Sequence, residues 1–222
     1  MTDPIPLKEF AEAEGAGDWR LVSEGACAFF RTRSFAESVR VVTAIGDIDG
    51  AEDHQPAVDI RSDGVTVRLI TVTNDYFGPS RVDLEMARQV SGIARSLGLA
   101  ADPSRIQSLL IIPGAPEIKA VMPFWRAILG YEPRPDSPAE DLVDPRDRGA
   151  AFWFEQMDEA RADGGGAIHV AIWVPIEQAE ARVAAALAAG GRLVRDDFAP
   201  AWWTLADAFG NEADIATVSH RD

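Results

Sequence analysis

The pattern of hydrophobic and polar positions along the first hundred residues predicts six secondary-structure elements. Short runs that alternate between apolar and polar residues indicate strands, and apolar residues that recur every three or four positions indicate helices. The predicted elements are strands at 19–22 and 26–33, a helix capped by Ser34, strands at 58–61 and 65–71, and a helix from Ser80 to about Gly98. This order predicts a two-layer α+β unit, with an antiparallel sheet and the helices on one face.

The second half of the chain shows a coarser pattern of strand, helix and strands, given twice. The predicted strands cover 106–112, 150–157, 168–174, 202–206 and 212–218, and the predicted helices end near Leu129 and Ala189. A short link that contains Pro103 separates the two halves. We therefore predict two domains, residues 1–99 and 105–222.

The composition limits the setting and the partners. A net charge of −15 and a pI near 4.6 argue against direct contact with nucleic acid or with an anionic membrane surface. The single cysteine permits no internal disulfide bond. The start of the chain lacks the features of a signal peptide, and no apolar run approaches the length of a membrane span. These features predict a cytoplasmic protein.

The clearest chemical clue in the first half is the sequence Asp53-His54-Gln55-Pro56. Proline holds the residue before it in an extended conformation, so His54 lies just upstream of a stiff turn. Its imidazole is a group that exchanges protons near neutral pH. The alternative interpretation is a histidine in a turn that faces solvent.

With its surroundings, this motif makes residues 15–98 resemble the pterin-4a-carbinolamine dehydratase family. The supporting features are the Phe29-Phe30 strand, Ser34-Phe35-Ala36-Glu37, the His54 motif, the strand at 65–69 and the helix that begins around Asp83. The resemblance implies a pterin-like ligand and a hydro-lyase reaction. It also implies catalytic roles for His54 and Asp83, with Gln55 as an orienting group.

Two residues depart from the pattern of this family. The family has a second histidine where this chain has Gln55, and a third that falls on Val72. Dehydration needs a general acid and a general base, and neither glutamine nor valine exchanges protons. Each missing partner costs on the order of 10²–10⁴ in rate. We therefore expect weak dehydratase activity that depends on His54.

The second half resembles the vicinal oxygen chelate, or glyoxalase-like, superfamily. The motifs that carry this resemblance are residues 124–131, the strand and proline at 169–175, and residues 207–214. The resemblance implies paired βαβββ modules that curl into a cup. In the metal-dependent members, four strands each contribute one metal ligand.

Carried over strand by strand, the resemblance implies ligand positions at Gln107, His169 and Asp214. The second ligand is ambiguous, because the alignment favours Trp153 whereas the chemistry favours Glu155. This donor set suits Zn²⁺, Ni²⁺, Mn²⁺ or Fe²⁺. The alternative is a cup without metal that still binds a small molecule.

An aromatic wall supports a small-molecule site whether or not a metal is present. Trp153 and Trp173 are predicted to lie on the same strand faces as the candidate ligands. Three classes of function remain open: a pterin lyase with an accessory domain, a glyoxalase-like enzyme or binding protein, and a non-catalytic assembly protein. We also expect a homo-oligomer, because sheets with hairpin edges favour pairing across a two-fold axis.

Overall fold

The structure is a computed structural model that describes residues 3–23, 25–158, 168–206 and 212–219. The chain divides into two compact units, which meet between Ile106 and Gln107. Unit 1 precedes this point and unit 2 follows it. Within the described ranges, no helix is both long and apolar enough to cross a membrane.

Unit 1 combines a four-stranded antiparallel sheet, a small hairpin and three helices. Its elements are α1 (Leu7–Glu12), β1 (Arg20–Val22), β2 (Gly25–Arg31), α2 (Phe35–Gly46), β3 (Ala57–Arg61), β4 (Gly64–Leu69), β5 (Thr71–Thr73), β6 (Tyr76–Gly78) and α3 (Arg81–Ser96). The sheet order is β1-β2-β4-β3, and β5 pairs with β6 as a separate hairpin. The hairpin therefore leads the chain from the sheet directly to the start of α3.

The core of unit 1 lies between this sheet and the two longer helices. Phe30, Val65 and Val67 from the strands and Val41 and Val90 from the helices are fully buried. Ser34 and Ser80 cap α2 and α3 with their side chains. These contacts fix the position at which α3 begins, and the first candidate site is built there.

Unit 2 contains two βαβββ modules. The first consists of β7 (Ser108–Ala115), α4 (Ile118–Leu129), β8 (Glu132–Pro133), β9 (Asp141–Val143) and β10 (Ala151–Trp153), with β11 (Glu155–Gln156) beyond it. The second consists of β12 (Ile168–Trp173), α5 (Ile176–Ala188), β13 (Arg192–Arg195), β14 (Trp202–Ala206) and β15 (Glu212–Ala216). Together they form one sheet in the order β13-β14-β15-β12-β7-β10-β9-β8, and β11 also pairs with β7.

The two faces of this sheet carry different side chains. Both helices pack on one face, where α4 covers Ile111 and Phe152 and α5 covers Ile172 and Ile215. Side chains alternate along strands, so their neighbours point to the other face. We call this other face the His169 face; it includes Ser108, Leu110, Ile112, Asp141, Trp153, His169, Ala171, Trp173, Arg192, Arg195, Trp202, Thr204, Glu212 and Asp214.

The predicted fold class is confirmed, with an antiparallel sheet and helices in unit 1 and paired βαβββ modules in unit 2. The sequence pattern did not predict α1, the hairpin β5–β6 or the strands β8, β9 and β13. Most of these elements have only two to four residues, which is too short for a periodic pattern to emerge. The predicted turn at residues 207–211 and the predicted connection at 164–166 lie outside the described residues.

Candidate functional sites

His54 lies in the turn between α2 and β3, and its imidazole meets the first turn of α3. The backbone N–H of His54 donates to Gly50 O at 3.0 Å, which closes the turn. The imidazole Nε2 lies 2.7 Å from Asp83 Oδ1. The Asp83 side chain is fully buried, whereas that of His54 keeps 21% of its surface exposed. The pair therefore joins a buried carboxylate to a ring that is accessible from solvent.

The other carboxylate oxygen of Asp83 is held by the cap of α3 and by the hairpin. Oδ2 accepts hydrogen bonds from Ser80 N at 2.7 Å, Ser80 Oγ at 2.8 Å and Thr71 Oγ1 at 2.8 Å. Ser80 and Asp83 form a capping box, in which each side chain bonds the backbone of the other residue. The helix N-terminus also favours negative charge at this position. Asp83 is thus fixed as an acceptor with a single orientation.

This arrangement decides which nitrogen of His54 faces the carboxylate as a donor. A carboxylate has only acceptor atoms, so Nε2 must carry the hydrogen of the 2.7 Å contact. In the neutral imidazole, Nδ1 then has a free lone pair. A ring oriented in this way can accept a proton at Nδ1 while Asp83 stabilises the resulting imidazolium.

Tyr76 lies close enough to Asp83 for an electrostatic interaction between the two groups. Burial raises the pKa of Tyr76 above 10.0, and the charge of Asp83 raises it further. Its hydroxyl donates a hydrogen bond to Pro79 O. Tyr76 therefore stays protonated at neutral pH and supports the hairpin beside the site.

The two positions that lack histidines are both on the surface. Gln55 is exposed, and its side-chain amide donates to Glu52 O at 3.4 Å. Val72 is 45% exposed, on the opposite face of β5 from Thr71, the residue that bonds Asp83. The roles predicted for His54, Gln55 and Asp83 in catalysis stay predictions. Of the three, the structure pairs His54 with Asp83.

Unit 2 contains a second histidine–aspartate pair, on adjacent strands of the sheet. His169 lies on β12 and Asp214 on β15, with 3.4 Å between Nε2 and Oδ2. The other oxygen of Asp214 accepts a hydrogen bond from Thr204 Oγ1 at 2.7 Å. Thr204 is paired with Asp214 across β14 and β15, so the contact follows from strand register.

The surroundings of this second pair are acidic. The hydrogen bond and charge of Asp214 raise the pKa of His169 above 6.5, whereas burial opposes the shift, and the charges of Glu155 and Glu212 add to it. The parallel register places Glu212 beside His169, one residue before the pair Val170–Ala213. Three carboxylates therefore act on one imidazole, and the local charge is negative.

An apolar strip leads across the sheet from His169 to Trp153. Ile112 lies directly opposite His169 on β7, and the register of β10 continues to place Trp153 beside Ile112. Ile112 is buried, whereas Trp153 is 37% exposed. Trp173 also lies on the His169 face and is buried. Their predicted role as ligand-binding residues stays a prediction.

Comparisons with known proteins divide the chain in the same way as its fold. A family model for pterin 4 alpha carbinolamine dehydratase matches residues 5–93. A model for a glyoxalase-like domain matches residues 110–216. The chain joins a pterin-4a-carbinolamine dehydratase-like domain to a glyoxalase-like domain. Unit 1 is the dehydratase-like unit and unit 2 is the glyoxalase-like unit.

Solved structures resemble the chain at low identity. A glyoxalase/bleomycin resistance protein/dioxygenase superfamily member from Vibrio splendidus 12B01 is 17% identical, covers 50% of this chain and 99% of its own, and has a TM-score of 0.34. An NAD-dependent benzaldehyde dehydrogenase from Legionella pneumophila is 13% identical, covers 49% and 97%, and has a TM-score of 0.36. These scores support no inference about function. The search of curated proteins gave no match.

Gln107 does not join His169 on one face of the glyoxalase-like unit, so this part of the predicted ligand set is wrong. Gln107 precedes β7, and its Oε1 accepts a hydrogen bond from Arg182 of α5, on the helix-covered side. Ser108 is paired with Trp173, which lies on the His169 face, so Ser108 and every second residue after it on β7 also point to that face. A shift of one residue turns every side chain of a strand to the other face. Leu110 and Ile112 therefore lie on the His169 face.

The donor set of the glyoxalase-like unit does not fit the metal site that the superfamily implies. On the His169 face, β7 supplies Ser108, Leu110 and Ile112 and no strong metal ligand. One oxygen of Asp214 is already bonded to Thr204. Among the residues that the structure describes, no three His, Cys, Asp or Glu side chains are grouped to hold a metal ion.

Sequence reasoning missed the support that three residues, Thr71, Ser80 and Thr204, give to the two pairs. Ser80 carries a recognisable signal, since a serine three residues before the acid Asp83 marks a capping box. Thr71 directly precedes Val72, but no sequence motif marks it as a partner of Asp83. Thr204 and Glu212 carry no local signal, because their places beside Asp214 and His169 depend on strand register.

Proposed function

We propose that the dehydratase-like unit is a hydro-lyase that acts on a 4a-hydroxylated tetrahydropterin, with His54 as its proton-transfer group. The observation that carries this proposal is the 2.7 Å contact of His54 Nε2 with the buried carboxylate of Asp83. It leaves Nδ1 as the ring nitrogen that can act as the base. The match of residues 5–93 to the dehydratase family supports the choice of substrate.

The proposed reaction removes water across the C4a–N5 bond of the pterin. The C4a–O bond breaks, N5 loses its proton, and a C4a=N5 double bond forms as water departs. His54 Nδ1 accepts the N5 proton, and Asp83 stabilises the imidazolium through Nε2. The departing hydroxyl takes a proton from solvent, and the imidazolium later returns its own proton to solvent.

A single imidazole makes this reaction slow. The proton taken from N5 has to be handed on before His54 is ready for another cycle, because Gln55 and Val72 cannot exchange protons. Solvent is the remaining carrier. The proposed enzyme therefore works well below the rate expected of a site with three histidines.

The test is a dehydration assay with a 4a-hydroxytetrahydropterin on the wild type, His54→Ala, His54→Gln and His169→Ala. Glutamine at position 54 can still donate to Asp83 but cannot accept a proton, so it separates catalysis from folding. We expect both His54 variants to lose about 10²-fold or more of the enzymatic rate, and His169→Ala to keep it. Equal rates in the wild type and His54→Gln would remove His54 from the mechanism.

We also propose a second function, small-molecule binding or catalysis on the His169 face of the glyoxalase-like unit. The specific observation is the chain of contacts from Thr204 through Asp214 to His169, beside an exposed tryptophan. A few polar groups next to an aromatic wall are typical of small-molecule sites. We expect His169→Ala to weaken the binding of a small-molecule ligand to this face, and His54→Ala to leave that affinity unchanged.

We further propose that the protein is a cytoplasmic homo-oligomer. Phe35 is 70% exposed and Val39 is 41% exposed, one turn apart on α2. β3 forms an edge of the sheet in unit 1. The non-catalytic assembly role, the third class of function left open by the sequence, uses the same exposed part of α2 and the same sheet edge. Analytical ultracentrifugation should show a species larger than 24.0 kDa at micromolar concentration, and Phe35→Glu should reduce it. A wild type that sediments only as the monomer contradicts this proposal.

A further inference from the structure

We infer that the glyoxalase-like unit binds a flat, positively charged organic molecule directly, without a metal ion, between Trp153 and the His169–Asp214 pair. This inference deepens the second proposed function and is independent of dehydration at His54. It starts from the poor fit between the residues on the His169 face and a metal site.

The first expected ligand position, Gln107, and one of the two candidates for the second, Trp153, carry other chemistry in this chain. Gln107 is bonded to Arg182 on the helix-covered side, and β7 presents Leu110 and Ile112 to the His169 face. An exposed tryptophan, Trp153, occupies one of the two candidate positions for the second ligand. The face therefore offers an apolar surface where a metal site needs donor atoms.

The geometry of the strip suits a flat ring. Trp153 and His169 lie on strands separated only by β7, so their backbones are about 10 Å apart. Ile112 and Ala171 lie buried between and beside them. A ring of one or two fused cycles that lies across the exposed parts of Trp153 and His169 places one face or edge against Trp153.

The charges beside His169 select the sign of the ligand. Glu212 is next to His169 in the parallel register, and Asp214 lies 3.4 Å from its ring. Glu155 pairs with Gly114, two residues beyond the partner of His169 on β7. Even with His169 protonated, three carboxylates outnumber one cation. An anion is repelled there, whereas an ammonium group is attracted.

The cationic side chains on this face are distant from His169. Arg134 is paired with Asp136 and with Asp141, which lies on β9, three strands from β12. Arg192 and Arg195 lie on β13, also three strands away, and Arg195 is above the ring of Phe198. At roughly 14 Å their charges are largely screened. Trp153 adds attraction, because tryptophan is the best aromatic partner for a cation.

The test uses two probes that share one ring and differ in charge, tryptamine and indole-3-acetate. Each is titrated into the full chain labelled with ¹⁵N, and the imidazole and indole signals are followed by NMR. The chain has three histidines and six tryptophans, so single variants assign the signals. We expect tryptamine to shift the His169 and Trp153 signals and to bind at least about tenfold more tightly than indole-3-acetate.

Two variants and a control locate the charge effect. Glu155→Gln keeps the shape of an exposed side chain and should weaken tryptamine several-fold, and Trp153→Leu should weaken it as well. Glu180→Gln, on the exposed side of α5, removes the same charge elsewhere and should leave the affinity unchanged.

Three outcomes overturn the inference. Equal or tighter binding of indole-3-acetate at His169 leaves a pocket but refutes its charge preference. Failure of both probes to shift His169 refutes the site. Stoichiometric binding of Zn²⁺ or Ni²⁺ that disappears in His169→Ala refutes the claim that the site works without a metal ion. None of these outcomes affects the rate of dehydration by the dehydratase-like unit, so the two proposals fail separately.

Discussion

The two units each contain a histidine–aspartate pair with a threonine on the second carboxylate oxygen, but the pairs differ in closeness. In the dehydratase-like unit, His54 and Asp83 are 2.7 Å apart and the carboxylate is fully buried. In the glyoxalase-like unit, His169 and Asp214 are 3.4 Å apart and further acids surround them. The first pair is built to orient one ring, and the second forms part of a charged surface.

The origin of this difference lies in the elements that hold each aspartate. Asp83 is the third residue of a helix, and the cap of that helix uses the same carboxylate that orients His54. Asp214 lies in mid-strand, and its neighbours are set by the spacing of strands. A helix cap brings donors to one carboxylate oxygen from three residues away. In the sheet, Asp214 is directly opposite Ala171, so its contact with His169 is diagonal and longer.

Replacing each aspartate by alanine gives the largest contrast in stability. Asp83→Ala leaves Ser80, Thr71 and His54 without their acceptor in a buried place and should cost about 3 kcal/mol. Asp214→Ala removes one short bond from Thr204 and should cost about 1 kcal/mol. Urea denaturation of both variants measures the free energies of unfolding. Equal losses of unfolding free energy in the two variants would contradict the difference between the two pairs.

Restoring a histidine in the dehydratase-like unit should sharpen the contrast in chemistry. Gln55→His adds a second proton-transfer group at an exposed position, so the fold should tolerate it. We expect the dehydration rate to rise by about tenfold or more. Gln89→His, on the side of α3, is the matched control. A rate that stays at the wild-type level would mean that position 55 does not face the substrate.

The stabilisation that the His169–Asp214 pair contributes to the glyoxalase-like unit should depend on pH. Asp214 raises the pKa of His169, so the folded state keeps the His169 proton to a higher pH than the unfolded state does. This stabilisation is complete below the unfolded pKa of about 6.5 and is lost as the pH rises through the folded pKa. Asp214→Asn should therefore lose more stability, relative to the wild type, near pH 6 than near pH 9. Denaturation curves at both pH values check this, and a pH-independent difference contradicts it.

The contrast between the two pairs also explains how far the sequence could predict them. The longer elements of both units follow from their periodic patterns, and His54 and Asp83 carry local signals, a proline turn and a capping box. Gln107 was assigned to the wrong face, because nothing near β7 in the sequence sets its register against β12. Thr204 was missed for the same reason. Short edge strands such as β8 and β13 offer too few residues for a pattern.

The central claim, that the two pairs serve different ligands, is tested most directly by a pterin titration. Tetrahydropterin, which lacks the 4a-hydroxyl and does not react, is added to the ¹⁵N-labelled full chain while the histidine side-chain signals are followed by NMR. The account predicts saturable shifts of the His54 signals, with the His169 signals unchanged, and loss of the shifts in Asp83→Asn. Shifts at His169 with His54 unchanged would contradict it.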